Sequence, residues 1–415
     1  MRVLLVCWGT FGEIRPYIWL ARRLGLAGHE VTLAAPAIFD AIFRPLVARC
    51  VSLPPDLADG QGEGSGQVRR LFNPRHGMER LLGEVIDPGV EEQRQVFSAL
   101  LGEARAEGKP FARAFVSWIA PGAFLACREA GLSTVQNHLN PQSLFLEKDP
   151  PLFTRWRRVT SGQGRLDQQS LRMALHRHGV LVMPRLAELQ AAAGWPEESR
   201  GPFPLSVSWP RLAFFPQSFL RAPAAGVAHL ANHWASRPYE MAGPVRRFLS
   251  EGPAPVLVSL GSVSAGDEGR LLKTIAGAVE SLGERAIVSM GLSKRGHFRS
   301  TPSQLFVGNL WPAQVLSQVK AVVHHGGMNS LQETLAFGRP ALVLPQAFDQ
   351  LDAACRLEWL GLGLFLPPGR QSAPDIRKRL GALLADEGIA SRAALWAVEQ
   401  RVEQGLSVEE ALVLT

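Results

Sequence analysis

Hydrophobic residues in this chain fall into short unbroken runs, separated by stretches with helical spacing. Residues 3–8 (VLLVCW) form the first run, continuous as in strands buried on both faces of a parallel sheet. A glycine-bearing loop follows, Gly9-Thr10-Phe11-Gly12-Glu13-Ile14-Arg15-Pro16, and then a helical pattern that puts Tyr17, Leu20, Ala21 and Leu24 on one face. Gly28 closes that helix, and residues 29–35 give a second strand. This is a βαβ unit whose first loop lies at the carboxyl edge of the sheet, where open α/β folds hold ligands. Runs at 50–53, 114–118 and 132–136 extend the sheet, and 212–215 and 227–230 end it.

The rhythm restarts at Val256. Residues 256–260 read as a buried strand, Gly261-Ser262 as a turn, and 268–282 as a helix. Strands at 285–290, 304–307 and 320–324 follow. The last of these ends at His325-Gly326-Gly327-Met328-Asn329-Ser330. A helical pattern then begins with Leu331, Leu335 and Ala336 on one face, stopped by Gly338-Arg339-Pro340, before another apolar strand at 341–344. The pattern predicts an α/β protein of two doubly wound halves: a first domain at 1–235, a turn-rich linker at 236–252 and a second domain at 253–395. A C-terminal helix in 396–415, part of the pattern at 391–404, is expected to cross back to the first domain. Residues 59–66 (DGQGEGSG) have loop composition, and no repeat with a fixed 20–50-residue period is present.

Length and composition agree with this division. A chain of 415 residues exceeds one ordinary core, and 46% hydrophobic with 20% charged residues is a globular balance. Cys7, Cys50, Cys127 and Cys355 lie far apart without CxxC spacing, which points to reduced cytoplasmic thiols and away from a disulfide scaffold or zinc site. MRVLLVCWG has one basic residue and no small-residue cleavage site, so it reads as a strand and not as a signal peptide. No run of about 18 apolar residues could span a bilayer. The net charge of +7 favours anionic partners, and basic residues concentrate between Arg155 and Arg185. No nucleic-acid motif accompanies them, so nucleic acid is not the expected partner. A nucleotide sugar, or peripheral contact with an anionic membrane face, accounts for the same charge. Phe145, Leu152, Phe153 and Trp156 lie among the basic residues of 142–204. They suit a hydrophobic or lipid-like acceptor, and would equally serve as core.

The chemistry concentrates around His325. A strand, a glycine turn and a helix bring unpaired backbone N–H groups and a positive helix end to one spot, which attracts phosphate. Gly326 and Gly327 allow close approach, and His325, Asn329 and Ser330 can each donate a hydrogen bond. Glu333 carries a carboxylate suited to a ribose diol, and Trp311 a flat face for a base. The plainer reading is a βα turn with a buried histidine and an N-cap Asn or Ser.

The pattern His325-Gly-Gly-x-Asn-Ser-x-x-Glu333, followed by Pro345 and Asp349-Gln350, resembles the nucleotide-sugar box of family 1 glycosyltransferases. The 25-residue step from His325 to Gln350 is similar to the plant version, and the shorter step from Trp311 to His325 is similar to bacterial members. The resemblance implies the GT-B fold, two Rossmann-like domains facing each other across a cleft. It also implies a donor site in which His325 touches the β-phosphate, Asn329 and Ser330 the α-phosphate, Glu333 the ribose, and Asp349 and Gln350 the sugar. Gly12, Gly261, Ser262, Trp311, Gln314, Gly326 and Gly327 complete the implied donor set.

In such enzymes the first loop carries the base ahead of a proline; here Glu13 takes that place in Gly12-Glu13-Ile14-Arg15-Pro16. A carboxylate at a helix N-terminus is held ionised, so Glu13 reads either as the base or as a dipole-complementing residue. His138 is the alternative base. Phe11, Trp118 and Asn140 are the expected acceptor contacts, with Ser117, Trp118, His138 and Asn140 at strand ends facing one cleft. The chain is also similar to bacterial rhamnosyltransferases of glycolipid synthesis and to sterol and antibiotic glycosyltransferases. These imply inverting transfer of a hexosyl group, rhamnosyl or glucosyl, from a UDP- or dTDP-sugar to a hydroxyl, with no further cofactor. No Asp-x-Asp is present, so no bound metal is expected. A sugar-nucleotide epimerase on the same fold and a non-catalytic nucleotide-binding subunit are the competing readings.

Overall fold

The computed structural model describes residues 1–54, 70–74, 76–150, 168–230, 241–261, 268–291, 298–308, 310–402, 405 and 407–414. The chain divides into two compact units. One comprises Met1–Leu71, Arg75–His233 and Gly405–Thr415, the other Phe72–Pro74 and Trp234–Gln404.

The first unit holds a seven-stranded sheet in the order β3-β2-β1-β4-β5-β6-β7. Its strands are β1 Arg2–Val6, β2 Glu30–Ala35, β3 Arg49–Ser52, β4 Arg113–Ser117, β5 Thr134–His138, β6 Arg211–Ala213 and β7 Val227–His229. All its pairings are parallel. A parallel strand is covered on both faces, which is why the early apolar runs are continuous. Leu4 and Val6 enter one core layer with Ala114, Val116 and Phe124. Val3 and Leu5 enter the other with Tyr17, Leu20 and Phe214.

The second unit has a six-stranded parallel sheet in the order β10-β9-β8-β11-β12-β13. Its strands are β8 Val256–Ser259, β9 Ala286–Ser289, β10 Gln304–Val307, β11 Ala321–His324, β12 Ala341–Val343 and β13 Gly363–Phe365. In each sheet the strand order reverses once, between β1 and β4 and between β8 and β11. Ligands of doubly wound folds bind beside the carboxyl ends of the strands at such a reversal. Val6 is in register with Val116 in the first unit, and Ser259 with His324 in the second. The loops that carry Glu13 and Trp118, and those that carry Gly261 and His325, therefore emerge beside each other within their own units.

Two elements differ from the sequence reading. The linker stretch contains a helix, Gly243–Ser250, with Val245 and Phe248 buried. Pro244 lies at its start, where a missing N–H costs nothing. The helix at Glu387–Val402 stays in the second unit and packs on the helix Met328–Ala336, with Gly338 against the backbone of Ala394. What joins the first unit is the next short helix, Val408–Ala411, opened by a Ser407/Glu410 capping box. Its Val408, Ala411 and Leu412 are buried in the same core as Tyr17 and Leu20. No helix among the described residues is long and apolar enough to cross a membrane.

Candidate functional site

In the second unit β11 is fully buried and delivers His325 at its carboxyl end. Gly326 turns the chain with φ +95°, and a β-carbon there would lie 2.7 Å from Val343 Cγ1 and 3.0 Å from the Gln350 carbonyl oxygen. Only glycine fits that turn. The helix begins at Met328, earlier than the apolar spacing predicts, and Gly327 is its N-cap. Asn329 and Ser330 therefore sit in the first turn instead of capping it. Gly327 has no side chain and no side-chain cap bond is made at this N-cap among the described residues, so the first amides form a positive end that suits an external acceptor.

The ring of His325 is confined between two glycines. A β-carbon on Gly261 would lie 2.8 Å from its Cε1, and one on Gly327 would lie 2.5 Å from its Nε2. Gly261 has φ +95°; Ser262 lies outside the described residues. His325 Nδ1 is buried without a hydrogen-bond partner, and burial lowers the ring's pKa to about 4. At neutral pH it is an uncharged imidazole with one N–H to donate.

His324 is a further residue of the turn, one that the sequence pattern does not single out. Its Nδ1 accepts the Gly326 N–H at 3.0 Å, which places its own proton on Nε2. Burial and then the neighbouring His325 lower its pKa to about 3, so it too is neutral. It ties the glycine turn to the end of the strand. The signal available was two adjacent histidines in a strand, whose side chains point to opposite faces.

The rest of the implied donor set surrounds this turn. Glu333 is buried on the helix, and Trp311 leads into the 3-10 turn Pro312–Gln314, which packs against that helix. Trp311, Gln314, Asn329 and Glu333 each have partners within the protein. Asp349 precedes the helix Gln350–Trp359, and burial raises its carboxyl to about 7, its own backbone N–H opposing and Asp352 adding. Asp352 is itself paired with Arg356 at 2.6 Å, both fully buried. Gln350 is not free to point its carbonyl at a ligand. Its Oε1 accepts the N–H groups of Gln346 at 2.8 Å and Ala347 at 3.1 Å, which leaves Nε2.

In the first unit Glu13 lies in the first turn of the helix Phe11–Leu26, beside half-buried Phe11 and exposed Gly12. Its side chain folds back over Gly9, where a β-carbon would come within 2.6 Å of Glu13 Cγ; the φ of +128° also demands glycine. The carboxylate is thus held over the end of β1. The Cys7 thiol and Tyr17 hydroxyl have raised pKa values, chiefly from burial, with the Glu13 charge adding to both.

The strand-end residues expected to face an open cleft are instead buried. Ser117, Trp118, His138 and Asn140 are 1%, 8%, 3% and 5% exposed. Asn140 Oδ1 accepts the Ser143 N–H and caps the 3-10 turn Pro141–Leu144. Ser143 Oγ donates to the Asn140 carbonyl, so it accepts from His138 Nδ1 at 3.0 Å. His138 Nε2 then carries a buried lone pair without a partner. Burial, followed by the charge of Arg211, pushes this histidine well below its ordinary pKa, which makes it a weak base. Trp118 lines a small aromatic-walled cavity with Phe124, Trp195 and Trp209.

Comparison with known proteins places this geometry. The spinosyn rhamnosyltransferase SpnG superposes with a TM-score of 0.69 at 18% identity, covering 98% of this chain and 97% of that one. The calicheamicin glycosyltransferase CalG4 gives 0.67 at 18% identity, covering 99% and 96%. The chain has the GT-B fold. Residues 273–404 match the C-terminal domain family described as erythromycin biosynthesis protein CIII-like. Along its full length the chain is 25% identical to O-mycaminosyltylonolide 6-deoxyallosyltransferase of Streptomyces fradiae, covering 96% of that protein. A shorter stretch, 19% of this chain, is 34% identical to NDP-glycosyltransferase YjiC of Bacillus subtilis. Sterol 3-beta-glucosyltransferase of Debaryomyces hansenii is 23% identical over 86% of this chain. The matches span 20% of YjiC and 23% of that sterol enzyme.

Proposed function

We propose that this protein transfers a hexosyl group from a UDP- or dTDP-sugar to a hydroxyl of a small hydrophobic acceptor, inverting the anomeric centre. The observation that carries the proposal is His325. It is a neutral, half-buried imidazole whose Nδ1 is buried and unpartnered, beside a helix N-terminus that has no side-chain cap at Gly327 among the described residues and is reached through two glycines. That is an arrangement for an anion with several acceptor oxygens. Similarity to proteins named as deoxyallosyl-, gluco- and rhamnosyltransferases supports a nucleotide sugar as the anion's source. SpnG has been solved with thymidine diphosphate, which favours dTDP.

In this account the helix end, His325, Asn329 and Ser330 balance charge growing on the departing diphosphate, where fixed donors act most strongly. Trp311 and Gln314 hold the nucleoside, Glu333 the ribose, and Asp349 and Gln350 the sugar. Glu13 takes the proton from the acceptor hydroxyl as it attacks the anomeric carbon from the face opposite the diphosphate, and this direct displacement inverts the centre. Neutral donors and the helix end do the work of a bridging metal. The proposed setting is the cytoplasm, a reading supported by four unpaired cysteines.

The test is incubation with dTDP- and UDP-sugars and a panel of hydrophobic alcohols, following nucleoside diphosphate release and acceptor mass. A mass gain of one hexosyl or deoxyhexosyl unit, with the inverted linkage by NMR, is expected. Conversion of the donor sugar without any acceptor, or no turnover with any pair, would contradict the proposal.

A further inference from the structure

Three glutamines behind the proposed sugar end of the site form one closed network. Gln371 lies beyond β13, 25 residues from Gln346, and its carboxamide is fully committed. Its Oε1 accepts from Gln346 Nε2 at 2.8 Å. Its Nε2 donates to the carbonyls of Pro345 at 3.0 Å and Leu366 at 3.2 Å. Gln346 Nε2 donates in addition to the Leu344 carbonyl at 2.8 Å. The backbone N–H groups of Gln346 and Ala347 are both taken by Gln350 Oε1. Every link but the one to the Leu366 carbonyl reaches residues 344–350, the turn between β12 and the helix Gln350–Trp359.

That turn needs holding. Phe348 has φ +54°, in the left-handed region that residues with a β-carbon avoid. Backbone in such a conformation persists only when its surroundings over-determine it, and here the surroundings are the glutamine network and the start of the helix. Asp349 is the next residue, so its direction is set by the backbone of Phe348. The orientation of Gln350 is set by the same bonds: its carbonyl faces inward, and only its N–H groups remain for a ligand.

We infer that Gln371 is a positioning residue for the sugar half of the donor, fixing the turn that aims Asp349 and Gln350 while leaving the diphosphate grip at His325 untouched. The inference rests on the donor-site reading above. A sugar recognised this way presents a hydroxyl oxygen as acceptor to Gln350 Nε2. A purely architectural Gln371, joining β13 to β12, would have no such selectivity, because loosening the domain would weaken every ligand alike.

The test compares affinities for a nucleoside diphosphate alone and for the corresponding nucleotide sugar, by calorimetry on the full chain. The proteins are wild type, Gln371→Leu, Gln346→Leu and the double variant. The expected result for each single variant is at least a tenfold loss of nucleotide-sugar affinity, with nucleoside diphosphate affinity within about twofold of wild type. The double variant should lose less than the sum of the two single losses, because the singles share the Gln346–Gln371 bond. Gln346→Leu keeps the test alive if Gln371→Leu does not fold. Equal losses for both ligands, or no loss for either, would overturn the inference. Failure of the wild type to bind any nucleoside diphosphate would overturn the donor-site reading itself, and this inference with it.

Discussion

The imidazole of His325 rests against Gly261, so close that a β-carbon at 261 would fall 2.8 Å from its Cε1. These residues follow different strands, β8 and β11, and meet because the strand ends Ser259 and His324 are in register. Gly261 thus shapes the wall behind the ring. Gly261→Ala is expected to displace His325, strain a backbone at φ +95° and lower donor affinity at least about tenfold. Calorimetric titration with a nucleotide sugar measures this. Wild-type affinity in the variant would show that the ring's position does not matter.

Glu13 is held by Gly9 in the same manner, and it is assigned the proton transfer. Glu13→Gln should cut turnover about a hundredfold, the low end for loss of a general base, with donor affinity kept. Gly9→Ala should lower turnover too, because its methyl group would occupy the space of Glu13 Cγ. Steady-state rates with saturating donor read both. Full activity of Glu13→Gln would move the base elsewhere.

Stability should fall as the solution is acidified from neutrality. His138, His324 and His325 are neutral in the fold, with pKa values well below the ordinary 6.5, to about 3 for His324 and about 4 for His325. Below pH 6.5 the unfolded chain takes up protons that the folded one does not. Each of these histidines then removes up to about 1.4 kcal/mol per pH unit until its folded pKa is reached. Asp349 acts in the opposite sense. Its folded pKa of about 7 lies above the ordinary 3.8, so the fold binds its proton first and gains stability as pH drops from 7 towards 4. Urea midpoints should therefore decline between pH 7 and pH 5, and decline more steeply in Asp349→Asn. A flat profile, or a shallower one in the variant, would contradict these assignments.

A donor site built from neutral donors and a helix end should work without a metal. Millimolar EDTA is expected to leave the initial rate of transfer unchanged. Inhibition reversed by magnesium would require a metal in the mechanism.

Much of the fold can be read from the chain because parallel strands buried on both faces produce unbroken apolar runs. Residues 304–307 are read at their observed limits, and the strand before His325 within one residue. The helix at Gly243–Ser250 escapes because Arg237-Pro238 and Glu251-Gly252-Pro253 mark turns on either side in the sequence, although Pro244 beside a helix start is equally a start signal. The start of the helix at Met328 is missed for a related reason. Asn329 and Ser330 are good caps, yet the tight glycine turn leaves Gly327 in that place.

The candidate site is legible where its parts are adjacent in sequence, as from His325 to Glu333. It is not where long-range packing decides. That Trp118, His138 and Asn140 lie at strand ends follows from the pattern. That they are buried depends on bonds such as that from His138 to Ser143. Gln371 carries no local signal, since its partners lie about the turn at 344–346 and at Leu366.

The most direct measurement is calorimetric titration of wild type and His325→Ala with dTDP- and UDP-sugars. Saturable binding of at least one by the wild type is expected, weakened at least about tenfold in His325→Ala while its unfolding midpoint without ligand stays close to wild type. No binding by the wild type, or equal binding by both proteins, would contradict a diphosphate held at His325.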